Sequence, residues 1–415
     1  MKDSGIAWVT TIPKEWDTIA NKYIMKKIKH IKTVYGGEDI LSLTVNGVIV
    51  RDLDAGGKMP TSFDGYQILY PGNLLMCLFD YDVTPRCIGL IKNNGITSPA
   101  YSQFVMTKGY SAEYYYYYYL MVDHSKAILH LAKNLRHSFT EDQLGAISVP
   151  VPPLQEQQRI ADFLDAKCVE IDALIADIQT QIDTLEQYKR SVITETVTKG
   201  LNPNAEMKDS KIEWVGMIPA HWPIHPVYTY FGERKHKNKF GDEDNLLSLS
   251  YGRVIRKDIN TSDGLLPESF NTYNIVEPGD IIIRPTDLQN DKRSLRTGLV
   301  KEHGIITSAY IDLCPIKHVD SRYFHFLLHA YDVMKVFYNM GNGVRQGLNY
   351  SEFSRLMVFE PPYDEQVAMA DYLETKVTEV DAVMEHKREQ IAVLDAYKRS
   401  LIFEYVTGKK EVPSA

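Results

Sequence analysis

The chain has 415 residues, 44% of them hydrophobic, and a net charge of −8, enough for two cores of ordinary domain size. It has no run of about 18 apolar residues and no charged, apolar, small-residue leader, so a soluble, cytoplasmic protein is expected. The acidic balance argues at first against a nucleic-acid partner, but Gln155 to Lys199 holds nine acidic residues against five basic and Asp364 to Gly408 ten against five. The rest of the chain is therefore near neutral, and a polyanion is expected to meet those parts. Cys77, Cys87, Cys168 and Cys314 are scattered without a Cys-x-x-Cys pair, which suggests neither a disulfide framework nor a zinc site. His221 and His225 are broken by Pro223 and followed by Pro226, which denies them a shared helical face and makes a metal site there unexpected.

In chain order, residues 1–151 alternate short β-like runs with turns. Strands are predicted at Ile40 to Val45, Val48 to Val50, Asn73 to Phe79, Ile88 to Lys92, Phe104 to Thr107 and Ala146 to Val151. Turn signals such as Asn46-Gly47 and Asp64-Gly65 separate them. The tyrosine run Tyr114 to Tyr119 invites a base-stacking reading. However, the corresponding stretch further on reads Tyr-Phe-His-Phe-Leu-Leu, so an amphipathic helix packing on the sheet is expected instead.

Pro152-Pro153 then close the block, because proline lacks an N–H and fixes φ, and no Pro or Gly follows until Gly200. One helix of roughly 60 Å is predicted. Its stripe of Leu164, Ile171, Ile178, Leu185 and Val192, with Cys168, Ile175 and Ile182 between, has the seven-residue spacing of a coiled-coil seam.

Residues 207–360 repeat the first block. Met207-Lys208-Asp209-Ser210, Trp214-Val215, Ile218-Pro219 and Trp222 return Met1-Lys2-Asp3-Ser4, Trp8-Val9, Ile12-Pro13 and Trp16. Strands are expected again at Leu246 to Tyr251, Asp280 to Arg284 and Ile311 to Pro315. From Pro361 the long helix also returns, with Leu373, Val380, Leu394 and Leu401 in the first series and Val377, Met384 and Ile391 in the second. Tyr188-Lys189-Arg190-Ser191 reappears unchanged as Tyr397-Lys398-Arg399-Ser400. Lys387 stands where Ile178 stood, which predicts a weaker seam there, with the lysine stem along the pair and its charge in water. The whole chain is thus a duplication, expected as two globular domains (1–151 and 207–360) and two helical spacers (152–206 and 361–415). The predicted fold is α+β: two mixed-sheet domains and two long helices in an antiparallel coiled coil, with pseudo-twofold symmetry.

Catalytic signatures are missing. Glu360-Pro361-Pro362-Tyr363 nearly matches the Asp/Asn-Pro-Pro-Tyr run of amino-methyltransferases, but Glu has the wrong length and the first copy reads Val151-Pro152-Pro153-Leu154. Pro285-Thr286-Asp287 with Asp291-Lys292 suggests a nuclease only faintly, since the first copy lacks the pair. No phosphate-binding loop, nucleophile elbow or zincin motif occurs. Candidate DNA contacts are the cations and amides of the loops: Arg51, Lys58, Arg86, Lys92, Asn93, Arg253, Arg256, Lys257, Arg284, Lys292, Arg293, Arg296, Arg345 and Gln346. Arg and Lys suit guanine edges and phosphate, and Asn and Gln suit adenine.

Two blocks that open with Asp-Ser-x-Ile-x-Trp-Val, Ile-Pro and Trp, and close with Pro-Pro-x-x-Glu-Gln ahead of a long helix, resemble the specificity subunits of Type I restriction-modification enzymes. The residues are Asp3-Ser4, Ile6, Trp8-Val9, Ile12-Pro13, Trp16, Pro152-Pro153 and Glu156-Gln157, with their copies through Pro361-Pro362 and Glu365-Gln366. The resemblance implies that each globular block is a target recognition domain reading half of a bipartite double-stranded DNA sequence. It also implies that the helices set the spacing and dock two methyltransferase subunits, with restriction (endonuclease/translocase) subunits added. S-adenosylmethionine, ATP and magnesium would then belong to those partners, and this chain would bind no cofactor and perform no catalysis. A non-catalytic coiled-coil scaffold, or a specificity subunit of another modification system, are the competing readings.

Overall fold

The computed structural model describes residues 1–54, 60–132, 137–259, 269–286, 288, 295–340 and 347–413. Its helices are α1 (Ala112–His124), α2 (Glu141–Ala146), α3 (Leu154–Lys199), α4 (Ser321–Val333), α5 (Tyr350–Phe353) and α6 (Tyr363–Val406). The chain divides into two compact units, one of Met1–Ile178 with Arg388–Ala415, the other of Gln179–Lys387. The spacers expected at 152–206 and 361–415 are therefore not separate bodies. Each unit takes part of both long helices, because the helical stripe and the sheet domain share one apolar core.

In the first unit an antiparallel four-stranded sheet has the order Met25–Ile28, Ser102–Met106, Leu74–Met76, Ile88–Leu90. Lys2–Ile6 pairs with Val9–Ile12, Asp17–Ala20 with Ser148–Val151, Leu41–Thr44 with Gly47–Val50, and Gln67–Leu69 with Gly95–Thr97, all antiparallel. Among the described residues of this unit, a parallel component enters as the bridge between Ile40 and Ile96. The hairpin of Leu41–Thr44 and Gly47–Val50 lies over Gly89, where a Cβ would stand 2.6 Å from Val48 Cγ2 and 2.8 Å from Leu43 Cδ1. Only glycine permits that approach.

The tyrosines of α1 are core residues, as expected: all of Tyr114 to Tyr119 except half-buried Tyr116 are enclosed. Their hydroxyls are satisfied inside. Tyr114 donates to Val406 O at 2.8 Å, Tyr115 to Pro150 O at 3.1 Å and Tyr117 to Asp165 Oδ1 at 2.5 Å, while Trp8 Nε1 donates to Tyr118 at 3.1 Å. Burial pushes these phenols well above their ordinary pKa.

The second unit repeats the plan. Its four-stranded sheet runs Phe231–Glu233, Ile311–Pro315, Ile281–Ile283, Thr297–Leu299. Around it stand four pairs: Met207–Asp209 with Met217–Pro219, Ile224–Pro226 with Met357–Phe359, Leu247–Ser250 with Arg253–Arg256, and Asn274–Val276 with Gly304–Ile306. Gly298 repeats Gly89, with a Cβ 2.5 Å from Leu249 Cδ1. The core gathers Trp222, Phe231, Ile281, Tyr323, Phe324, Leu327, Leu328 and Tyr331.

Within each unit the segments of α3 and α6 run antiparallel. In the first, Phe163 meets Tyr405 at a ring separation of 4.5 Å and Lys398 meets Asp172 at 2.6 Å. In the second, Lys387 bonds Gln181 and Lys189 meets Asp381 at 2.6 Å. Of the expected stripe, Leu164, Ile171, Ile182, Leu373, Val380, Met384 and Leu401 are buried, and Ile175, Ile178, Leu185, Val192, Ile391 and Leu394 are half-buried. Lys387 behaves as its sequence position suggests, half-buried along its stem with the amine on a polar partner.

The Pro-Pro-x-x-Glu-Gln motif does more than start a helix. Glu156 Oε2 accepts from Trp16 Nε1 at 3.0 Å, and Glu365 Oε2 from Trp222 Nε1 at 3.0 Å. Gln157 accepts from Ser111 N at 2.8 Å and donates to Pro152 O at 2.8 Å, and Gln366 does the same with Asp320 N at 3.0 Å and Pro361 O at 2.8 Å. Each unit thereby ties its N-terminal tryptophan and the start of its core helix to the first turn of a long helix.

Candidate functional site

The candidate contacts fall into distinct environments. Lys58, Lys292, Arg293, Arg345 and Gln346 lie outside the described residues. In the first unit Lys92 and Asn93 are exposed in the turn after Ile88–Leu90, and Arg51 is half-buried just beyond the Gly47–Val50 strand. Arg86 is half-buried and heavily engaged: Nη1 donates to Val45 O at 2.7 Å, Nε to Ile88 O at 3.1 Å, and Nη2 bonds the Tyr116 hydroxyl. It ties the tip of the hairpin to α1, so its guanidinium is committed to the fold.

In the second unit Arg253, Arg256 and Lys257 are exposed on and just after the second strand of the corresponding hairpin. Arg253 Nη2 lies 2.6 Å from Asp381 Oδ2, and Arg256 pairs with Glu302. Arg284 is half-buried at the end of its strand. Arg296 does not belong with them. It is 0% exposed, its Nε donates to the Tyr338 hydroxyl at 2.9 Å and its Nη1 to Thr286 O. Its backbone N–H bonds the Asp332 carboxylate, as Cys87 N bonds Asp123 at 2.7 Å in the first copy. Arg296 is thus a core cation, and its place in the DNA-contact set is withdrawn.

The structure also joins groups that the sequence left apart. The neighbouring Cys77 and Cys87 thiols shift each other in opposite directions, Cys77 below and Cys87 above the ordinary thiol value, with burial also raising Cys87. Asp280 and Asp312 are both buried beside Arg234, which reaches Asp280 Oδ2 at 2.8 Å but Asp312 only at 3.9 Å. Burial and then the Asp280 charge push the Asp312 carboxyl up to about 8, so it is largely protonated at neutral pH. At the same places in the first copy stand Asn73 and Gln103, which bond each other at 3.2 Å. Burial likewise holds His124 down at about 4, with the Arg399 charge acting the same way. Among the described residues no cluster of His, Cys, Asp or Glu could hold a metal ion, and no helix is long and apolar enough to cross a membrane.

The arrangement is a repeated frame with two non-identical hairpins, with cations on and just after the second hairpin and just beyond the first. Residues 88–187 match the family model of the Type I restriction modification DNA specificity domain. In this stretch and in its relatives the chain is similar to the specificity subunits of Type I restriction-modification enzymes. It is similar to two proteins of Methanocaldococcus jannaschii. One is the Type I restriction enzyme MjaVIII specificity subunit (24% identity, 64% of this chain and 63% of that protein). The other is the protein named as the MjaX specificity subunit (25% identity, 66% and 62%). Both matches thus span less than two thirds of the relatives' own length. A solved chain described under complex assembly and conformational transition of the type I R-M system shares the fold, with a TM-score of 0.69 at 14% identity over 96% of this chain and all of that one.

Composition alone gave a mixed list because it does not separate a buried cation such as Arg296 from an exposed one such as Arg253. The Trp–Glu and Gln latches and the Lys–Asp pairs between helices were missed as structural roles. The signal was present: Glu156-Gln157, Asp172 and Lys189 each recur at the matching place in the second copy as Glu365-Gln366, Asp381 and Lys398.

Proposed function

We propose that this protein is the sequence-specific DNA-recognition subunit of a Type I restriction-modification complex, each sheet domain reading one half of a bipartite target. The observation that carries this reading is the repetition of one frame, down to Gly89 and Gly298 under the hairpins, with different side chains on the hairpins themselves: Val45-Asn46 at one tip, Tyr251-Gly252 at the other. A constant frame with divergent exposed loops suits two readers of different half-sites. A scaffold would need neither.

In this reading the helices set the distance between half-sites and dock two methyltransferase subunits, to which restriction (endonuclease/translocase) subunits are added in the cytoplasm. S-adenosylmethionine, ATP and magnesium act on those partners, and this chain performs no bond-making step itself. The test is to exchange residues 207–360 for the corresponding block of another specificity subunit and sequence the methylated DNA. One half of the motif should change while the other half is retained. Loss of both halves, or of neither, would contradict independent reading.

A further inference from the structure

Two segments outside the candidate contacts above concentrate positive charge in a chain whose net charge is −8. Lys26 to Lys32 reads Lys-Lys-Ile-Lys-His-Ile-Lys, and Arg234 to Lys239 reads Arg-Lys-His-Lys-Asn-Lys. Each holds four cations and no acidic residue. They occupy the same place in the two units. Met25–Ile28 and Phe231–Glu233 are edge strands of the four-stranded sheets, and just beyond them the chain crosses to the small second sheet. There Ile68 N donates to His30 O at 2.8 Å and Ile275 N to His236 O at 2.7 Å; Lys32 N donates to Tyr66 O at 2.8 Å and Asn238 N to Tyr273 O at 3.0 Å. The bridges Ile31 to Gln67 and Lys237 to Asn274 complete the match. At this shared corner the dipeptide Lys29-His30 returns as Lys235-His236, and all four side chains are exposed.

Lysines on an edge strand also serve to keep that edge from pairing with another chain. That accounts for Lys26 and Lys27 inside the strand. It does not account for the Lys-His pair, which sits where the backbone is already bonded to the second sheet, nor for its return in the second copy while the flanking residues changed. The local contacts leave Lys29 without a carboxylate partner among the described residues, whereas Lys235 is shared with an edge-strand carboxylate. Among the described residues Lys29 Nζ bonds the Pro99 carbonyl oxygen at 3.2 Å, and His30 Nδ1 bonds the Tyr70 hydroxyl at 2.9 Å, which orients the ring and leaves Nε2 to an outside acceptor. In the second copy Lys235, 69% exposed, pairs with Glu233 at 2.9 Å. Lys237 is held below its ordinary pKa by burial and then by the charge of Lys235.

We infer that these two corners, Lys29-His30 and Lys235-His236, are backbone-phosphate ledges, one per unit, which fix the register of the duplex while the hairpins read bases. The assignment rests on the DNA-recognition reading above. The shared dipeptide on an otherwise diverged surface suits a contact that both half-sites offer alike, and only the sugar-phosphate backbone does so.

The test uses the full chain with its methyltransferase subunits and measures duplex affinity against salt concentration, on the methylated motif and on a scrambled duplex. K29A/H30A and K235A/H236A should each flatten the slope of log K against log salt by about 1, and the fourfold variant by about 2, with equal losses on both duplexes and an unchanged methylated motif. K409A/K410A, which removes two exposed cations at the end of α6, is the control and should leave the slope unchanged. A fourfold variant with the parent's slope, or a control that flattens it equally, overturns the ledges while DNA recognition stands. A parent complex that binds neither duplex overturns both readings.

Discussion

Arg296 separates the structural reading from composition most sharply. A Met in its place keeps much of the stem's packing but removes the charged donors to Tyr338 and Thr286. Hydrogen bonds from a charged group contribute about 1.5–3 kcal/mol each, and relief of the buried charge's desolvation offsets part of that. A net loss of about 2–3 kcal/mol is expected, which for a unit of roughly 200 residues lowers its melting temperature by about 5–10 °C. Arg253 is the contrast. Its side chain is 70% exposed, and a surface pair of this kind contributes about 0–1 kcal/mol, so R253A should melt nearly as the parent does. Calorimetry of both variants, with duplex binding measured well below the transitions, should show R296M destabilised but fully binding, and R253A stable but weakened. An R296M protein that melts like the parent and fails to bind would refute the burial argument.

Four other outcomes follow from particular contacts. Glu156→Ala removes the acceptor of the Trp16 indole and should cost about 1–2 kcal/mol, with a change in tryptophan emission that Glu365→Ala reproduces in the second unit; unaltered emission and melting in both would contradict the latch. Lys387→Ile, which restores the residue of the first copy, should raise the melting temperature by a few degrees, and a lowered one would show that its bond to Gln181 outweighs the seam. Asp312 has a folded pKa raised to about 8 from 3.8, so the unfolded chain gives up this proton first, and stability falls as pH rises from about 4 to 8. Asp312→Asn should remove that loss, leaving stability near pH 4 unchanged and raising it at pH 8; equal effects at both pH values would contradict the assignment. Inserting one heptad at matched places in α3 and α6 adds about 10 Å of helix, and the spacer of the methylated motif should lengthen with both half-sites intact; a changed half-site with an unchanged spacer would contradict the ruler.

The long helices were legible because a period of seven survives in the core positions, and because Pro152-Pro153 and Pro361-Pro362 mark both starts. Six internal strands of the first unit were legible from their apolar runs, with ends shifted by up to three residues, while the short strands Asp17–Ala20, Met25–Ile28, Gln67–Leu69 and Gly95–Thr97 were not. The N-terminal hairpin of Lys2–Ile6 and Val9–Ile12 was not either; its alternation is too short, and Ser4 bonding the Val9 carbonyl appears only in the fold. Arg296 was misread because its charge carries no sign of burial. What encloses it is Asp332 and Tyr338, and only the fold brings them near. The Lys-His corners were overlooked because a charge run normally signals a solvated face, and their significance appears once both copies are placed on the same backbone bonds.

The most direct test of the account is to sequence the methylated DNA of cells carrying this protein with its methyltransferase subunit, against cells lacking only this protein. A bipartite motif with a fixed gap, modified only when this protein is present, is the predicted result. The same modified motif in its absence, or none while the two proteins associate and the methyltransferase is active, would contradict the claim that this chain selects the sequence.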